Sequence, residues 1–473
     1  MDVNHIDALK KLYKACFGNF SSNVTPIAES GSNRKYFRLT HSTQSVIGAF
    51  NPDIDENRAF VYLSQLFTAK QLPVPELLAI SNCENYYLVS DLGNQSLFDE
   101  IIKTNWSNTD TESVKLLIDK TINSLVDFQV DGTKGLDYKM CYPQQEFDRQ
   151  TIMWDLNYFK YCFLKPSGVV FHEVKLEDDF NALADYLLTA PSDFFMYRDF
   201  QSRNVMVVDN SPFFIDYQGG RKGPCLYDIA SFLYQARAGF PQILRNTLFD
   251  NYLSCISAKA KVNTIQLREQ FPAFVLFRII QTLGAYGYRG FFERKNHFLV
   301  SIPLAVANIS EVLEGIKLKL PYLTEILKSI VTMYTETPQK EASFEGLTIQ
   351  ITSFSFKKGY PVEHPEHGGG FVFDCRGLPN PGRYPEYSAN TGMDKVVANY
   401  LGKHREVEKF FDGTLSLIRE TVEVYKTRKF HHLSISFGCT GGQHRSVYMA
   451  SRMAELLDKI DGVKINVIHR ELK

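Results

Sequence analysis

No C-x-x-C pair occurs in this 473-residue chain, whose eight cysteines stand singly at Cys16, Cys83, Cys141, Cys162, Cys225, Cys255, Cys375 and Cys439. That scatter excludes a zinc-ribbon framework and, at this length, argues for a reducing compartment over a disulfide scaffold. Long apolar runs are missing too. None reaches the ~18 residues of a membrane span, and the apolar stretch from Phe271 to Ile280 is broken by Arg278. The first residues, Met1 to His5, lack the basic-then-apolar pattern of a signal peptide. The expectation is a cytoplasmic protein with no membrane partner. Neither sign of charge dominates, with 52 Lys and Arg against 53 Asp and Glu, so any nucleic-acid surface has to be local. The apolar fraction of 44% and the charged fraction of 22% are those of a folded globular chain. Its length is that of about three domains of roughly 150 residues each.

What is present centres on two neighbouring stretches. Phe195-Met196-Tyr197-Arg198-Asp199-Phe200-Gln201-Ser202-Arg203-Asn204-Val205-Met206-Val207 is followed by Phe213-Phe214-Ile215-Asp216-Tyr217-Gln218. Two apolar runs, each with one acidic residue, bracket a polar loop that ends in Asn. Phosphoryl transfer to a hydroxyl needs such parts: one carboxylate for the hydroxyl proton, and an amide with a second carboxylate for Mg²⁺. Asp199 and Asn204 stand at the Asp and Asn spacing of the kinase catalytic loop, H-R-D-x-x-x-x-N, although Tyr197 replaces the His and Ile215-Asp216-Tyr217 replaces Asp-Phe-Gly. The plainer alternative is a strand-loop-strand whose Asp and Asn residues cap turns.

Ile6, Leu9, Leu12 and Tyr13 recur at helical spacing, so the chain opens with a short amphipathic helix. Ser30 to Thr40, containing Ser32, Asn33 and Arg34, then leads to a strand at Ser45 to Phe50. A small-residue loop between strands can lie over nucleotide phosphates, though an ordinary hairpin uses the same residues. Gly48 or Ala49 sits about where a kinase strand carries Lys, and Arg34, Lys35 or Arg38 are the candidates to replace that charge. Glu56 to Phe67 reads as a helix, with Glu56 either pairing a phosphate-binding cation or favouring the helix dipole. Tyr86 to Gly93 reads as a buried strand running into a turn; in a bilobal kinase that segment, here with Ser90 and Leu92, links the lobes and offers backbone groups to adenine. Thr111 to Gln129 and much of 145 to 190 are helical, with Trp154, Tyr158, Phe159 and Tyr161 read as core. Tyr227-Asp228 begins another helix, where Asp228 either caps it or braces the Asp199 loop.

Arg198-Asp199-Phe200-x-x-Arg203-Asn204, Ile215-Asp216-Tyr217-Gln218 and Gly223-Pro224-x-x-Tyr227-Asp228-Ile229-Ala230-Ser231 resemble the aminoglycoside-phosphotransferase family of small-molecule kinases. Ser90-Asp91-Leu92-Gly93 and the Arg-Asn and Asp-Tyr-Gln variants are most similar to its AmgK-type amino-sugar kinases, which phosphorylate the anomeric hydroxyl of N-acetylmuramate and N-acetylglucosamine. The resemblance covers about residues 1 to 335, with an N-lobe to about 92 and a C-lobe from 93. It implies an α+β bilobal protein-kinase-like fold, ATP and Mg²⁺ as cofactors, Asp199 as catalytic base, and Asn204 and Asp216 on the metal.

Glu336 to Glu341 is polar and carries Pro338, so a linker is placed at 336–346. Strands follow at Leu347 to Phe356, Phe371 to Asp374, Leu433 to Gly438 and Val463 to His469, with a helix from Ser446 to about Ile460. This pattern predicts a small α/β domain with its loops at one sheet edge. Cys439-Thr440-Gly441-Gly442-Gln443-His444-Arg445 joins a strand to a helix N-terminus, an arrangement suited to an anion. It also fits C-x5-R, which leaves Cys439 as a phosphatase nucleophile, a redox-sensitive thiol or a plain loop residue. Ser353 to Pro361, Phe373-Asp374-x-Arg376-x-Leu378-Pro379-Asn380-Pro381, Thr391-Gly392-x-Asp394-Lys395, Gly438 to Tyr448 and His469-Arg470 resemble the C-terminal domain of the RNase-adapter protein RapZ. That domain senses glucosamine-6-phosphate and in some bacteria binds small regulatory RNA. The resemblance implies a hexosamine phosphate at Cys439, Thr440, Gly441, Gly442, His444 and Arg445, with Asp374, Arg376 and Asn380 alongside. The P-loop G-x-x-x-x-G-K-[ST] of that family's N-terminal half is absent, as is its basic tail. Lys403-His404-Arg405 and Lys426-x-Arg428-Lys429 read as solvated helix faces more than as RNA sites. The expectation is an amino-sugar kinase joined to a hexosamine-phosphate sensor. The rival is an adapter with a degenerate kinase fold.

Overall fold

The computed structural model describes residues 2–27, 34–42, 44–106, 111–335, 346–361 and 370–472. Two compact units divide the chain, Met1–Thr335 and Glu336–Lys473. The expected linker lies, except for Gly346, outside the described residues.

The first unit begins with helix Asp2–Phe17 and an antiparallel sheet. Its strands are Asn23–Pro26 (β1), Lys35–His41 (β2), Gln44–Phe50 (β3), Leu77–Ile80 (β4) and Tyr86–Ser90 (β5), in the order β1-β2-β3-β5-β4. Alternation along a strand sends neighbours to opposite faces. In β5, Leu88 joins Leu9 and Tyr13 of the first helix, whereas Tyr87 and Val89 join the large core with Phe60, Leu63 and Phe67 of helix Ile54–Ala69. Gly48 explains itself by this first packing. A Cβ there would lie 2.7 Å from Leu39 Cδ1 and 2.9 Å from Leu9 Cδ2, so the residue is small to let the first helix approach.

Helix Ile54–Ala69 also carries the contact to the second lobe. Phe67 meets Phe128, Phe195 and Tyr217 edge-on, at ring-centroid distances of 5.1, 5.1 and 5.4 Å, and Ser64 Oγ lies 2.6 Å from the Tyr217 hydroxyl. That lobe is mainly helical. Helices Glu112–Val130, Arg149–Phe159, Glu173–Leu187, Leu226–Leu233, Gln242–Lys259 and Thr264–Gly287 surround two small ribbons. These pair Phe194–Met196 (β6) with Arg221–Gly223 (β9) and Val205–Val208 (β7) with Ser211–Phe214 (β8). Among the described residues one helix, His297–Gly315, is long and apolar enough to cross a membrane by composition, and 39% of its apolar window is buried within the fold. The expected aromatic core stripe is only partly core. Phe159 is buried, but Trp154, Tyr158 and Tyr161 are 50%, 36% and 48% exposed; the helix Arg149–Phe159 offers the core one face, which Trp154 and Tyr158 lie off, and Tyr161 stands in the π-helical turn Lys160–Leu164 that follows.

The second unit is a four-stranded sheet of Leu347–Ser355 (β10), Gly370–Asp374 (β11), His432–Cys439 (β12) and Val463–His469 (β13). Its order is β11-β12-β10-β13 and every pairing is parallel. All four carboxyl ends therefore meet at one edge, where open α/β sheets place their ligand loops. Helix Arg405–Thr427 packs on the sheet core through Val407, Phe411, Ile418 and Val422, and helix Arg445–Leu457 through Met449, Ala450, Met453 and Leu457.

Candidate active site

Strand β6 delivers the chain to Arg198, whose φ of 81° is left-handed and disfavoured for a side chain of this size. Three contacts hold it there. The buried Asp228 carboxylate accepts the backbone N–H of Tyr197 at 2.7 Å and of Arg198 at 2.9 Å. The Arg198 guanidinium donates to Asp155 at 2.8 Å and lies over the Tyr227 ring, 5.2 Å from its centroid. Asp228 thus braces the loop; its helix starts from Cys225 without a side-chain cap. Burial pushes the Asp228 carboxyl up to about 7, against the two amide hydrogen bonds. Tyr197, in place of the template His, is also a strut. It is 1% exposed, and its hydroxyl donates to the Ile215 carbonyl at 2.7 Å.

Asn204 then gathers the pieces. Its Nδ2 donates to the Asp199 carbonyl at 2.9 Å and to Asp216 Oδ2 at 3.2 Å. Asp216, itself left-handed at φ 71°, accepts from Gln218 Nε2 through its other oxygen at 2.7 Å. Burial raises the Asp216 carboxyl, and the Asp199 charge adds to it; the Gln218 bond and the charges of Arg34 and Arg203 pull the other way. Asn204 thus joins Asp216 to the Asp199 loop, and carboxylate and amide groups of this kind are the oxygen donors that suit a hard divalent cation shared with phosphates. No cluster of three or more His, Cys, Asp or Glu with metal-binding geometry occurs among the described residues.

Across the cleft, strand register brings Tyr36, Ala49 and Tyr87 side by side. Arg34 stands two residues before Tyr36, just ahead of β2, and the two side chains are hydrogen-bonded. Its Nη2 pairs with Glu56 Oε1 at 3.0 Å, while Glu56 Oε2 accepts from Asn51 at 2.8 Å. Burial works against the Arg34 charge, yet Tyr87, Tyr36 and Glu56 hold its pKa above the ordinary value. Of the three candidates for the missing strand lysine, Arg34 meets the helix glutamate. Arg38 is spent elsewhere, donating to Asp91 at 2.6 Å and to Asn94 at 2.7 Å, which fastens the turn after β5. Ser90 Oγ accepts from the Glu76 N–H at 2.9 Å, tying β5 to the residue before β4, and Leu92 is half-buried in that turn. Ser32 and Asn33 lie outside the described residues.

A cavity of about 130 Å³ opens beside the Asp199 loop. Gln201 and Arg203 line it from the loop, and Gln235, Arg237, Arg278 and Tyr286 from the helical lobe. Gln235 Oε1 accepts from Ser202 N at 2.8 Å and from Ser202 Oγ at 2.7 Å, so this wall is bonded directly to the loop. Sequence reasoning singled out neither Arg237 nor Asp155. Their signal is spatial, since both lie far from the loop in sequence. Gln218 and Arg203 were visible as parts of the motif without a role.

At the carboxyl edge of the second sheet, Cys439 ends β12 and is 3% exposed. Its Sγ accepts the Gly442 N–H at 3.2 Å and lies 3.1 Å from Ser446 Oγ. Burial alone would raise this thiol, but those bonds and the Arg445 charge bring it below its ordinary value. Arg445 is turned inward: Nη1 donates to the carbonyls of Arg376 and Leu378 at 2.8 and 3.1 Å, and Nη2 lies 3.4 Å from Thr440 Oγ1. Its role is to join the loop at Asp374–Asn380 to the loop at Cys439–Gly442, not to present a free cation. Thr440 and Gly441 are exposed there, and Asn380 and His444 are half-buried, His444 lying 3.1 Å from the Tyr387 carbonyl through Nε2. Asp374 and Arg376 pair with each other at 2.7 Å.

A family model described as "Phosphotransferase enzyme family" matches residues 23–263, and one described as "RapZ C-terminal domain" matches residues 347–473. Among curated proteins, a nucleotide-binding protein of Staphylococcus epidermidis is 41% identical over 131 residues, which are 28% of this chain and 42% of that protein. One of Thioalkalivibrio sulfidiphilus is 37% identical over 133 residues, 28% of this chain and 45% of that protein. The chain thus spans less than half the length of these relatives. Among solved structures, the choline kinase LicA from Streptococcus pneumoniae aligns with TM-score 0.45 and 13% identity, over 65% of this chain and 99% of that one. Aminoglycoside phosphotransferase APH(4)-Ia aligns with TM-score 0.43 and 14% identity, over 65% of this chain and 98% of that one.

Proposed function

Because the chain belongs to the phosphotransferase enzyme family over residues 23–263 and carries a RapZ C-terminal domain at 347–473, we propose an activity for each unit. The first transfers the γ-phosphoryl group of ATP to a hydroxyl, the anomeric one, of an N-acetylated amino sugar. The second binds a hexosamine phosphate.

The observation that carries the first reading is the bonded set of Asp199, Asn204 and Asp216, with the charge of Arg34, itself paired with Glu56, acting on Asp216. Phosphoryl transfer asks little covalent chemistry of a protein, and positioning with charge stabilisation does most of the work. Asp199 takes the proton of the acceptor hydroxyl as its oxygen bonds to the γ-phosphorus and the bridging oxygen leaves with ADP. Asn204 Oδ1 and the Asp216 carboxylate would hold Mg²⁺, which supplies charge neutralisation on the phosphates. Arg34, kept cationic by Glu56, faces the same phosphates from the N-lobe. The buried brace from Asp228 keeps Asp199 in place while the phosphoryl group moves.

The Arg34–Glu56 pair also speaks against a degenerate, purely regulatory fold, since it supplies the cation that the strand lacks. For the second unit, the exposed Thr440–Gly441 backbone at a helix N-terminus supports an anion site. The inward Arg445 disfavours a cysteine phosphatase, whose arginine has to face the phosphate. ATP consumption measured with N-acetylglucosamine and N-acetylmuramate tests the kinase reading. Turnover that is lost in Asp199→Asn supports it, and no turnover with any hexosamine overturns it. Calorimetry with glucosamine-6-phosphate tests the second unit, where loss of heat in a Gly442→Ala chain is the expected control.

A further inference from the structure

We infer that the cavity beside the Asp199 loop is an acceptor subsite for an anionic group, a carboxylate or a phosphate monoester, gripped by Arg203, Arg237 and Arg278. The inference rests on the phosphotransferase reading above and adds the charge of the acceptor to it. Three guanidinium groups line a space of about 130 Å³, and no Asp or Glu lines it among the described residues. Arg278 is the telling member. It is 5% exposed, and its nitrogens donate only to neutral hydroxyls, Tyr227 at 3.0 Å and Ser231 at 2.9 Å. Its Nε has no hydrogen-bond partner.

A buried cation without a hydrogen-bonded counter-ion is costly, and proteins retain one where a ligand completes the pair. Asp228 feels the Arg278 charge but is already committed to two backbone amides. The ring of Tyr227 offers Arg278 a further, weaker partner at 5.0 Å from its centroid. Arg203 and Arg237 are exposed and make no ion pair among the described residues. All three guanidinium groups line the same cavity, together with Tyr286. Because Arg203 shares its loop with Asp199, and Gln235 bonds that loop, an anion held here positions its own molecule's hydroxyl toward the proposed base. A planar carboxylate matches the guanidinium fork best.

The test uses the full chain with Mg²⁺. Acceptors come in matched sets: glucose, glucuronate and glucose 6-phosphate, and N-acetylglucosamine with N-acetylmuramate. Initial rates with ATP are paired with calorimetry in the presence of a non-hydrolysable ATP analogue. We expect the anionic members to exceed the neutral ones by about 10- to 100-fold in kcat/KM or affinity, the range of charged hydrogen bonds. The glucuronate and glucose 6-phosphate arms separate carboxylate from phosphate. Arg237→Ala, an exposed position that the fold tolerates, and Arg278→Met both collapse the ratio by raising the acceptor KM, with the ATP KM in place. Anionic binding without turnover refutes the kinase reading and keeps the subsite. Equal use of neutral and anionic members, no binding of any anionic member, or variants that raise only the ATP KM overturn the subsite.

Discussion

Asp228→Asn separates holding the loop from holding the fold. Both oxygens of Asp228 accept backbone N–H groups, at 2.7 and 2.9 Å, from Tyr197 and Arg198. Asparagine keeps one acceptor and turns an NH₂ group toward the other amide. The loss of a charged hydrogen bond, with one buried donor left unmet, costs about 2–5 kcal/mol. Against it stands the relief of carboxylate burial. The Asp228 carboxyl is pushed up to about 7, roughly three units above a free aspartate, which is about 4 kcal/mol when ionised. The two nearly cancel above pH 7. With an unfolding entropy of about 0.7 kcal/mol/K for a unit of the size of Met1–Thr335, Tm at pH 8 shifts by only a few degrees. The sign follows from the raised value: protonation favours the wild-type fold below its folded pKa, and that stability is lost as pH rises through about 7. The variant has no such titration, so the wild type gains stability over it on going from pH 8 to pH 5. Activity has no such compensation. A displacement of the Asp199 loop by about 1 Å lowers kcat by about 100-fold. Calorimetric Tm values at pH 5 and 8, with kcat at each, decide it. A Tm difference that does not vary with pH, or kcat within threefold of wild type, refutes the brace.

Three further outcomes follow from other contacts. Glu56→Gln leaves the Arg34 guanidinium, whose side chain is 2% exposed, without its carboxylate; the N-lobe loses about 3 kcal/mol and ATP affinity falls at least tenfold, read by thermal melts and nucleotide titration, whereas Arg34→Lys retains part of both. Asp91 is held below the ordinary carboxylate range; burial opposes this, but Arg38, Ser45 and the Gly93 amide prevail. Its stabilisation is present above about pH 4 and lost as pH falls through the depressed value, so an Arg38→Ala chain shows a shallower loss of Tm between pH 5 and 3 than the wild type. Gly442 has φ of 71°, and a Cβ there would lie 2.3 Å from Glu471 Cγ and 2.9 Å from Ser355 N; Gly442→Ala costs the second unit about 1–3 kcal/mol and abolishes hexosamine-phosphate heat in calorimetry.

The elements with strong periodicity were legible in the sequence. The run from Ile6 to Tyr13, the strand at 463–469 and the loop from Asp199 to Asn204 carry local signals, because side-chain alternation and turn chemistry are set within a few residues. The helix Lys395–Gly402 was not singled out, and Trp154, Tyr158 and Tyr161 were read as core although all three are exposed. An aromatic spacing reports a helix face, but not which of its neighbours that face meets. Asp155 and Arg237 were invisible for a related reason. Asp155 bonds Arg198, 43 residues on, and Arg237 shares a cavity with Arg203, about 34 residues back, and no single-sequence pattern spans such a gap.

The cation opposite Asp199 shows why a motif can fail while its physics is kept. Of the two residues expected about where a kinase strand carries lysine, Gly48 and Ala49, the second is set between Tyr36 and Tyr87 by register. A long side chain from Ala49 would compete with those rings for the same volume. The charge enters instead from Arg34, two residues before Tyr36, whose longer side chain reaches Glu56 at 3.0 Å. Glu56 itself is fixed by Asn51 and by the Asp53 cap of its helix. What the phosphates require is a positive charge held at one place, and either strand can deliver it. If so, moving the charge back should restore function: in an Arg34→Ala background, Ala49→Lys recovers ATP affinity only when Tyr36 or Tyr87 is also reduced to Ala, and recovery without that second change refutes the steric argument.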